Sequence, residues 1–164
     1  MIANRSLLLE LCPIKDMLNH KESFGGVSHG LTEAGYDIRI KQSIRFLPGE
    51  GVEVLDNKSY YHYEGNFVLA SSLERFNMPP NLVGVVHDKS TWARRGLSVF
   101  NTVIEPGWKG WLTLELVYHG GDELVIPPGV GIAQVLFHRT EHDAIYDGKY
   151  NNQGDYPVPA KDSE

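Results

Sequence analysis

From residue 36 onward the chain keeps repeating one unit, a short run of β-branched and other apolar residues followed by a turn rich in Gly or Pro. In "YDIRIKQSIRFLP", Tyr36, Ile38 and Ile40 alternate with Asp37, Arg39 and Lys41, the period of two that marks a half-buried strand. "GVEVL", "NFVLAS", "NLVGVV", "GLSVFNTVI", "GWLTLELVY", "ELVIPPG" and "GIAQVLFHR" follow. Pro79-Pro80, Pro106-Gly107, Gly120-Gly121 and Pro127-Pro128-Gly129 punctuate them. So many short strands in one chain predict a mainly β fold, a distorted β-barrel or jelly-roll. Two short helices complete it. One is N-terminal, within residues 5–20, with Pro13 as its break; the other is internal, "STWARR", with Ser90 as N-cap and Gly96 as C-cap. Residues 21–35, rich in Gly and Ser, read as loop.

At 164 residues the expectation is a single domain spanning residues 1–164, with no internal repeat. Its C-terminal tail, residues 143–164, has few aliphatics and several Asn, Gly and Pro, and is expected to be mobile until something orders it. The formal net charge of −6 argues against a general DNA- or RNA-binding surface, which needs a basic footprint. Any anionic ligand must therefore meet a local basic pocket. Cys12 is the only cysteine, which leaves no intramolecular disulfide and no zinc site built on paired cysteines. No run approaches the roughly 20 apolar residues of a membrane span. "MIANRSLLLELCPIKDML" contains Glu10 and Lys15 and lacks the long apolar stretch of a signal peptide, so the expected location is cytoplasmic, without a membrane partner.

Against this acidic background "HDKSTWARRG" gathers Lys89, Arg94 and Arg95 around two hydroxyls. On a helix, Ser90 and Arg94 stand four apart and share a face. Backbone N–H groups, the Ser90 and Thr91 hydroxyls and the Lys89 ammonium then form a workable phosphate site. A capped surface turn whose cations balance nearby acids fits the same residues. In "IEPGWKGWLTLEL", Leu112, Leu114 and Leu116 fall on one strand face, and Trp111, Thr113 and Glu115 on the other. A carboxylate in so apolar a run is costly unless it is paired or faces a cavity. Glu115 is thus a candidate general base with a raised pKa, one half of a buried pair, or an exposed outer-face residue. Glu105 precedes a Pro-Gly turn, where solvent exposure is the plain expectation. His138 and His142 stand four apart at a strand end, and no His-x-His pair suggests a bound transition metal.

Several stretches together resemble the dCTP deaminase branch of the trimeric dUTPase superfamily: "YDIRI", "FVLASSLERFNMPPNLVGVVHDKSTWARRGL", "IEPGWKGWLTLEL", "PPGVGIAQVLF" and "GKYNNQG". They stand in the family's order and cover most of the chain from residue 35. The resemblance implies a dUTPase-like jelly-roll and a homotrimer with active sites between subunits. It also implies a deoxynucleoside triphosphate substrate, dCTP or dUTP, with Mg²⁺ on the phosphates and no zinc. Carried over by position, the family's Arg-Ser-Ser-x-x-Arg motif falls on Lys89, Ser90, Thr91 and Arg94. Lys89 would contact phosphate as a point charge where the family has an arginine fork. Ser90 would hold phosphate or the attacking water, and Arg94 would pair with the catalytic glutamate, Glu115. Glu115 would move protons between water, cytosine and departing ammonia. Lys149 and Gln153, with Tyr146, match a tail that closes over the triphosphate, and Gln134 takes a further binding position. Arg95 falls outside the chemistry.

The chain departs from the deaminases between Gly96 and Glu105, where "LSVFNTVI" is two residues shorter and lacks their Thr-Ala pair. Asn101, Thr102 and Val103 occupy the base-recognition region instead. A loop this short resembles some dUTPases, in which the position of Glu105 is an aspartate that activates water. The leading expectation is dCTP deamination to dUTP, with onward hydrolysis to dUMP as an extension. A dUTPase producing dUMP and pyrophosphate is the alternative, and a non-catalytic nucleotide-binding trimer is the third.

Overall fold

The computed structural model describes residues 1–162; residues 163–164, the last two of the expected tail, lie outside the described residues. In chain order the elements are β1 (Ile2–Ala3), α1 (Arg5–Leu11), β2 (Lys21–Phe24), β3 (Val27–Leu31), β4 (Tyr36–Arg39), β5 (Ser43–Leu47), β6 (Gly51–Asp56) and β7 (Ser59–Tyr63). Then come β8 (Phe67–Asn77), β9 (Leu82–Asp88), α2 (Ser90–Ala93), β10 (Leu97–Val99), β11 (Val103–Ile104), β12 (Lys109–Tyr118), β13 (Leu124–Ile126) and β14 (Gly131–Arg139). They form three sheets, ordered β11-β9-β14-β4-β3-β2 with β1 added to β14, β10-β12-β8, and β13-β5-β6-β7. The described sheets do not close into a barrel; the fold is a distorted jelly-roll carrying two short helices.

The inner faces meet in one core that includes Ile38, Phe46, Trp92, Leu114 and Phe137, all essentially inaccessible to water. Trp92 shows how the core accepts a polar group. Its indole N–H donates to the Gly131 carbonyl at 2.7 Å, so the largest buried side chain leaves no orphan donor.

Four readings of the sequence change. Residues 21–35 include a hairpin, β2–β3, turning on Gly25 and Gly26 at φ 58° and 76°. Every residue of β2 is exposed, so no apolar alternation announces it. "YDIRIKQSIRFLP" is two strands in different sheets. Buried Gln42 makes the corner, accepting from the Ser71 N–H at 2.8 Å and donating to Ser71 Oγ at 2.8 Å. The internal helix begins at Ser90, with Lys89 as N-cap and no side-chain capping bond, and Gly96 follows at φ 90°. Finally, the β8–β12 ladder shifts register between Trp111 and Thr113, where β12 advances two residues and β8 four. Trp111 pairs with Arg75, whose guanidinium lies 5.3 Å from its ring centre, and Thr113 and Glu115 face the cleft.

Gly131 marks where β3 presses on β14: a Cβ there would sit 2.0 Å from the Ser28 carbonyl oxygen and 3.3 Å from Lys89 Cε. Relieving that contact requires backbone movement. Gly131→Ala should lower stability by about 1–3 kcal/mol, the usual cost of overpacking, measured as a fall in the urea midpoint. An unchanged midpoint would contradict the tight approach of these strands.

Candidate active site

The longest ladder in the fold, β8 against β12, builds the floor of a cleft of about 560 Å³. Glu115 lies opposite Leu69, Thr113 opposite Ser71 and Val117 opposite Phe67, so Phe67, Leu69, Thr113 and Glu115 come to one face. The segment after β10 supplies Thr102, Val103, Ile104 and Glu105 to a second wall, and Trp108 supplies the corner. The tail closes the third side with Tyr146, Tyr150, Gln153 and Val158.

Glu115 is the chemically unusual group. It is partly buried, and its Oε2 is shielded from water without a hydrogen-bond partner among the described residues. Burial pushes its pKa above the ordinary glutamate range, and a bond from its own backbone opposes the shift. A shielded carboxylate oxygen without a donor is costly, and a proton, a ligand or a neighbouring chain would relieve it. Glu105 reaches the same cleft but is exposed.

The tail is tied to the floor by hydrogen bonds rather than by regular structure. Trp108 Nε1 donates to the Tyr150 carbonyl at 2.7 Å, and the Tyr146 N–H donates to the Pro106 carbonyl at 2.8 Å. Gly110 forms a parallel bridge with Gln153, and the Thr113 hydroxyl donates to Gln153 Oε1 at 3.2 Å. Lys149, expected at the triphosphate, instead donates to the Lys161 carbonyl, and the Lys161 ammonium returns a bond to the Lys149 carbonyl at 2.7 Å.

The basic segment stands elsewhere. The Arg94 N–H donates to the Ser90 carbonyl at 3.1 Å, which puts the two residues one helical turn apart as the sequence predicts. Both are exposed, and neither they nor Thr91 line the Glu115 cleft of their own chain. Arg95 lies over the Trp92 ring at 5.1 Å, a packing role. Lys89 is 9% exposed and its ammonium is ion-paired with Asp37, itself 3% exposed. Ser28 Oγ accepts from the same ammonium at 3.0 Å. Gln134 Nε2 donates to Asp37 Oδ1 and to Thr32 Oγ1, each at 3.3 Å. Lys89 and Gln134 thus belong to one internal network around Asp37.

Of the residues singled out in the sequence, Glu115, Glu105, Thr102, Val103, Tyr146 and Gln153 meet in one cleft, and Asn101 is exposed outside it. Thr113, set on the Glu115 face by the strand period, and Tyr150 of the tail line it too; Phe67, Leu69 and Trp108 also line it and were missed. Trp108 gave a usable signal, an indole in a Pro-Gly turn whose N–H needs a partner. Leu69 and Phe67 gave none, because cross-strand register decides what faces Glu115.

Removing one partner of the Asp37–Lys89 pair strands a buried charge. Asp37→Ala should cost about 3–5 kcal/mol, read from urea unfolding, and the double change Asp37→Leu with Lys89→Met should recover most of the loss. A single-variant cost below about 1 kcal/mol would contradict the pair's burial.

A family model for dCTP deaminase-like proteins matches residues 17–140. The dCTP deaminase of Wolbachia pipientis wMel is 32% identical, covering 89% of each chain. The dCTP deaminase of a Campylobacter jejuni strain is also 32% identical, covering 94% of this chain and 93% of its own. Among solved structures, the 2′-deoxycytidine 5′-triphosphate deaminase of Agrobacterium tumefaciens superposes with a TM-score of 0.57 at 18% identity, over 86% of this chain and 48% of that one. EIAV dUTPase superposes with a TM-score of 0.53 at 17% identity, over 85% of this chain and 93% of that one. These two structures speak to the fold alone. The matches along the sequence speak to descent: the chain belongs to the dCTP deaminase-like family.

Proposed function

We propose that the protein is a dCTP deaminase that converts dCTP and water to dUTP and ammonia. The observation that supports this most is Glu115, a partly buried carboxylate on a strand floor, its pKa raised by burial and one oxygen without a donor. In that role Glu115 takes a proton from the water that adds to cytosine C4. It passes that proton to N3, then moves the second proton from the new C4 hydroxyl to N4, so that the C4–N4 bond breaks, ammonia leaves and O4 becomes the carbonyl. The relatives named for this reaction, similar over about nine-tenths of the chain, support the same reading.

Among the described residues no lysine or arginine lines the cleft of a single chain, and Ser90, Thr91 and Arg94 lie outside it. We assign them to the cleft of a neighbouring subunit in a homotrimer. There Arg94 pairs with Glu115, and Ser90 and Thr91 hold phosphate or water. Thr102, Val103 and Asn101 bound the base, and Tyr146, Lys149 and Gln153 belong to a tail that opens and closes over the triphosphate. Lys89 and Gln134 act one step removed, because their polar ends are engaged around Asp37. Mg²⁺ arrives on the nucleotide and neutralises its phosphates. One solved neighbour, a dUTPase of Staphylococcus phage phi11, is described with a coordinated structural Mg(II) ion. The activity is assigned to the cytoplasm, where deoxynucleotides are made and consumed.

A second reading rests on Glu105, which shares the cleft while remaining exposed. There it would orient water toward the α-phosphorus, and dUTP would yield dUMP and pyrophosphate, either alone or after deamination.

Incubation with dCTP or dUTP plus Mg²⁺, with ammonia and pyrophosphate followed separately, divides these readings. Ammonia from dCTP is expected, and pyrophosphate from dUTP without any ammonia from dCTP would favour the second. Glu115→Gln should cut ammonia release by at least about a hundredfold, the lower end of what positioned proton transfer contributes, while triphosphate binding persists. Burial raises the Glu115 pKa, and Arg94 of the neighbouring subunit opposes that shift. The base works ionised, so activity should fall as pH drops through its pKa, and Arg94→Ala should move that acid limb upward in the pH profile.

A further inference from the structure

The two sides of Glu115 are unlike. Toward the start of β12 the tail occupies the space: Thr113 Oγ1 donates to Gln153 Oε1 at 3.2 Å and accepts from the Val158 N–H at 3.0 Å. Toward the end of β12 the floor is open and aromatic. Phe67, opposite Val117 in the ladder and on the Glu115 face, is 44% exposed while lining the cleft. Phe100, 49% exposed, stacks on it with ring centres 6.1 Å apart and planes inclined by 29°.

The pair is also coupled to the carboxylate through the backbone. The Phe100 N–H donates to the Glu115 carbonyl at 3.0 Å, so the short segment after β10 is fixed to the same residue whose side chain faces the cleft. Phe100 precedes Asn101, Thr102 and Val103, and Val103 is itself 54% exposed at the cleft wall. Two stacked rings half in water, beside a carboxylate lacking a donor, present an apolar face next to a polar point. A flat heteroaromatic ring with amino and ring-nitrogen groups on one edge matches both. Its face covers the phenyl ring, a favourable contact that tolerates many bases, and its edge can reach the Glu115 carboxylate beside Arg94 of the neighbouring subunit.

Resting on the deaminase reading, we propose that the pyrimidine base packs against Phe67, and that Phe100 is a positioning residue that holds Phe67 and the loop behind it. Recognition then divides: polar groups hold the triphosphate, and the Phe67–Phe100 pair sets the affinity for the base. The two phenylalanines compensate for the short loop by replacing loop-to-base hydrogen bonds with an apolar wall.

The test compares a ligand that has a base with one that has none. Binding of dCTP with Mg²⁺ and of inorganic tripolyphosphate with Mg²⁺ is measured by calorimetry on the full chain carrying Glu115→Gln, which prevents turnover. In that background Phe67→Ala should weaken dCTP binding about tenfold, in the range measured for base stacking on aromatic residues, and leave tripolyphosphate binding within twofold. Phe67→Tyr should retain dCTP binding, and Phe100→Ala should weaken it in the same direction but less. In the otherwise unmodified chain, Phe67→Ala should raise KM for dCTP more than it lowers kcat. If Phe67→Ala leaves dCTP binding unchanged, or weakens both ligands equally, the aromatic platform is wrong. If dCTP binding depends on Phe67 yet the unmodified protein releases no ammonia, the platform stands and the deaminase reading falls.

Discussion

The pairing of β8 with β12 is the constraint on which the rest of the molecule depends. It is the longest ladder in the fold, running from Lys109 opposite Asn77 to Val117 opposite Phe67, and each face has a separate task. The inward face carries Leu114 and Leu116 into the core. The outward face carries Thr113, Glu115, Leu69 and Phe67 to the cleft floor. On that floor Glu115 is partly buried, and burial raises its pKa.

Around that floor, polar groups are handled in two ways. Several inside the fold are paired: Gln42 bridges to Ser71, Trp92 reaches Gly131, and Asp37 gathers Lys89 and Gln134. A buried carboxylate elsewhere follows the same pattern. Glu74, 5% exposed, has its pKa pushed up by burial, yet it accepts from the Arg39 Nε and backbone N–H at 2.8 Å each. Glu115 differs in that one oxygen has no donor. The two glutamates thus differ in partners: Glu74 is paired with Arg39, and Glu115 keeps one oxygen unpaired among the described residues.

The basic segment around α2 is similarly divided by burial. Lys89 turns inward and is neutralised, Arg95 lies flat on Trp92, and Ser90 and Arg94 remain at the surface. A Lys in place of an arginine fork suits the inward role, since a compact ammonium fits between one carboxylate and one hydroxyl.

The sequence by itself determined the β character, most strand positions, the two helices and the placement of Glu115 on the face opposite the core leucines. Each of these follows from local periodicity or turn chemistry, which a chain carries in its own order. Also legible were the pieces of the site that share a cleft, Glu105, Thr102, Val103, Tyr146 and Gln153, through resemblance and order along the chain. What only the tertiary structure decided are the contacts made across sequence distance. The β2–β3 hairpin escaped because every β2 side chain is exposed and no apolar pattern marks it. The Asp37–Lys89 pair joins residues 52 apart, and Phe67 meets Phe100 only because register sets both beside Glu115. Register, burial and the direction of a charged side chain arise from packing sheet on sheet, and no local stretch of sequence contains them.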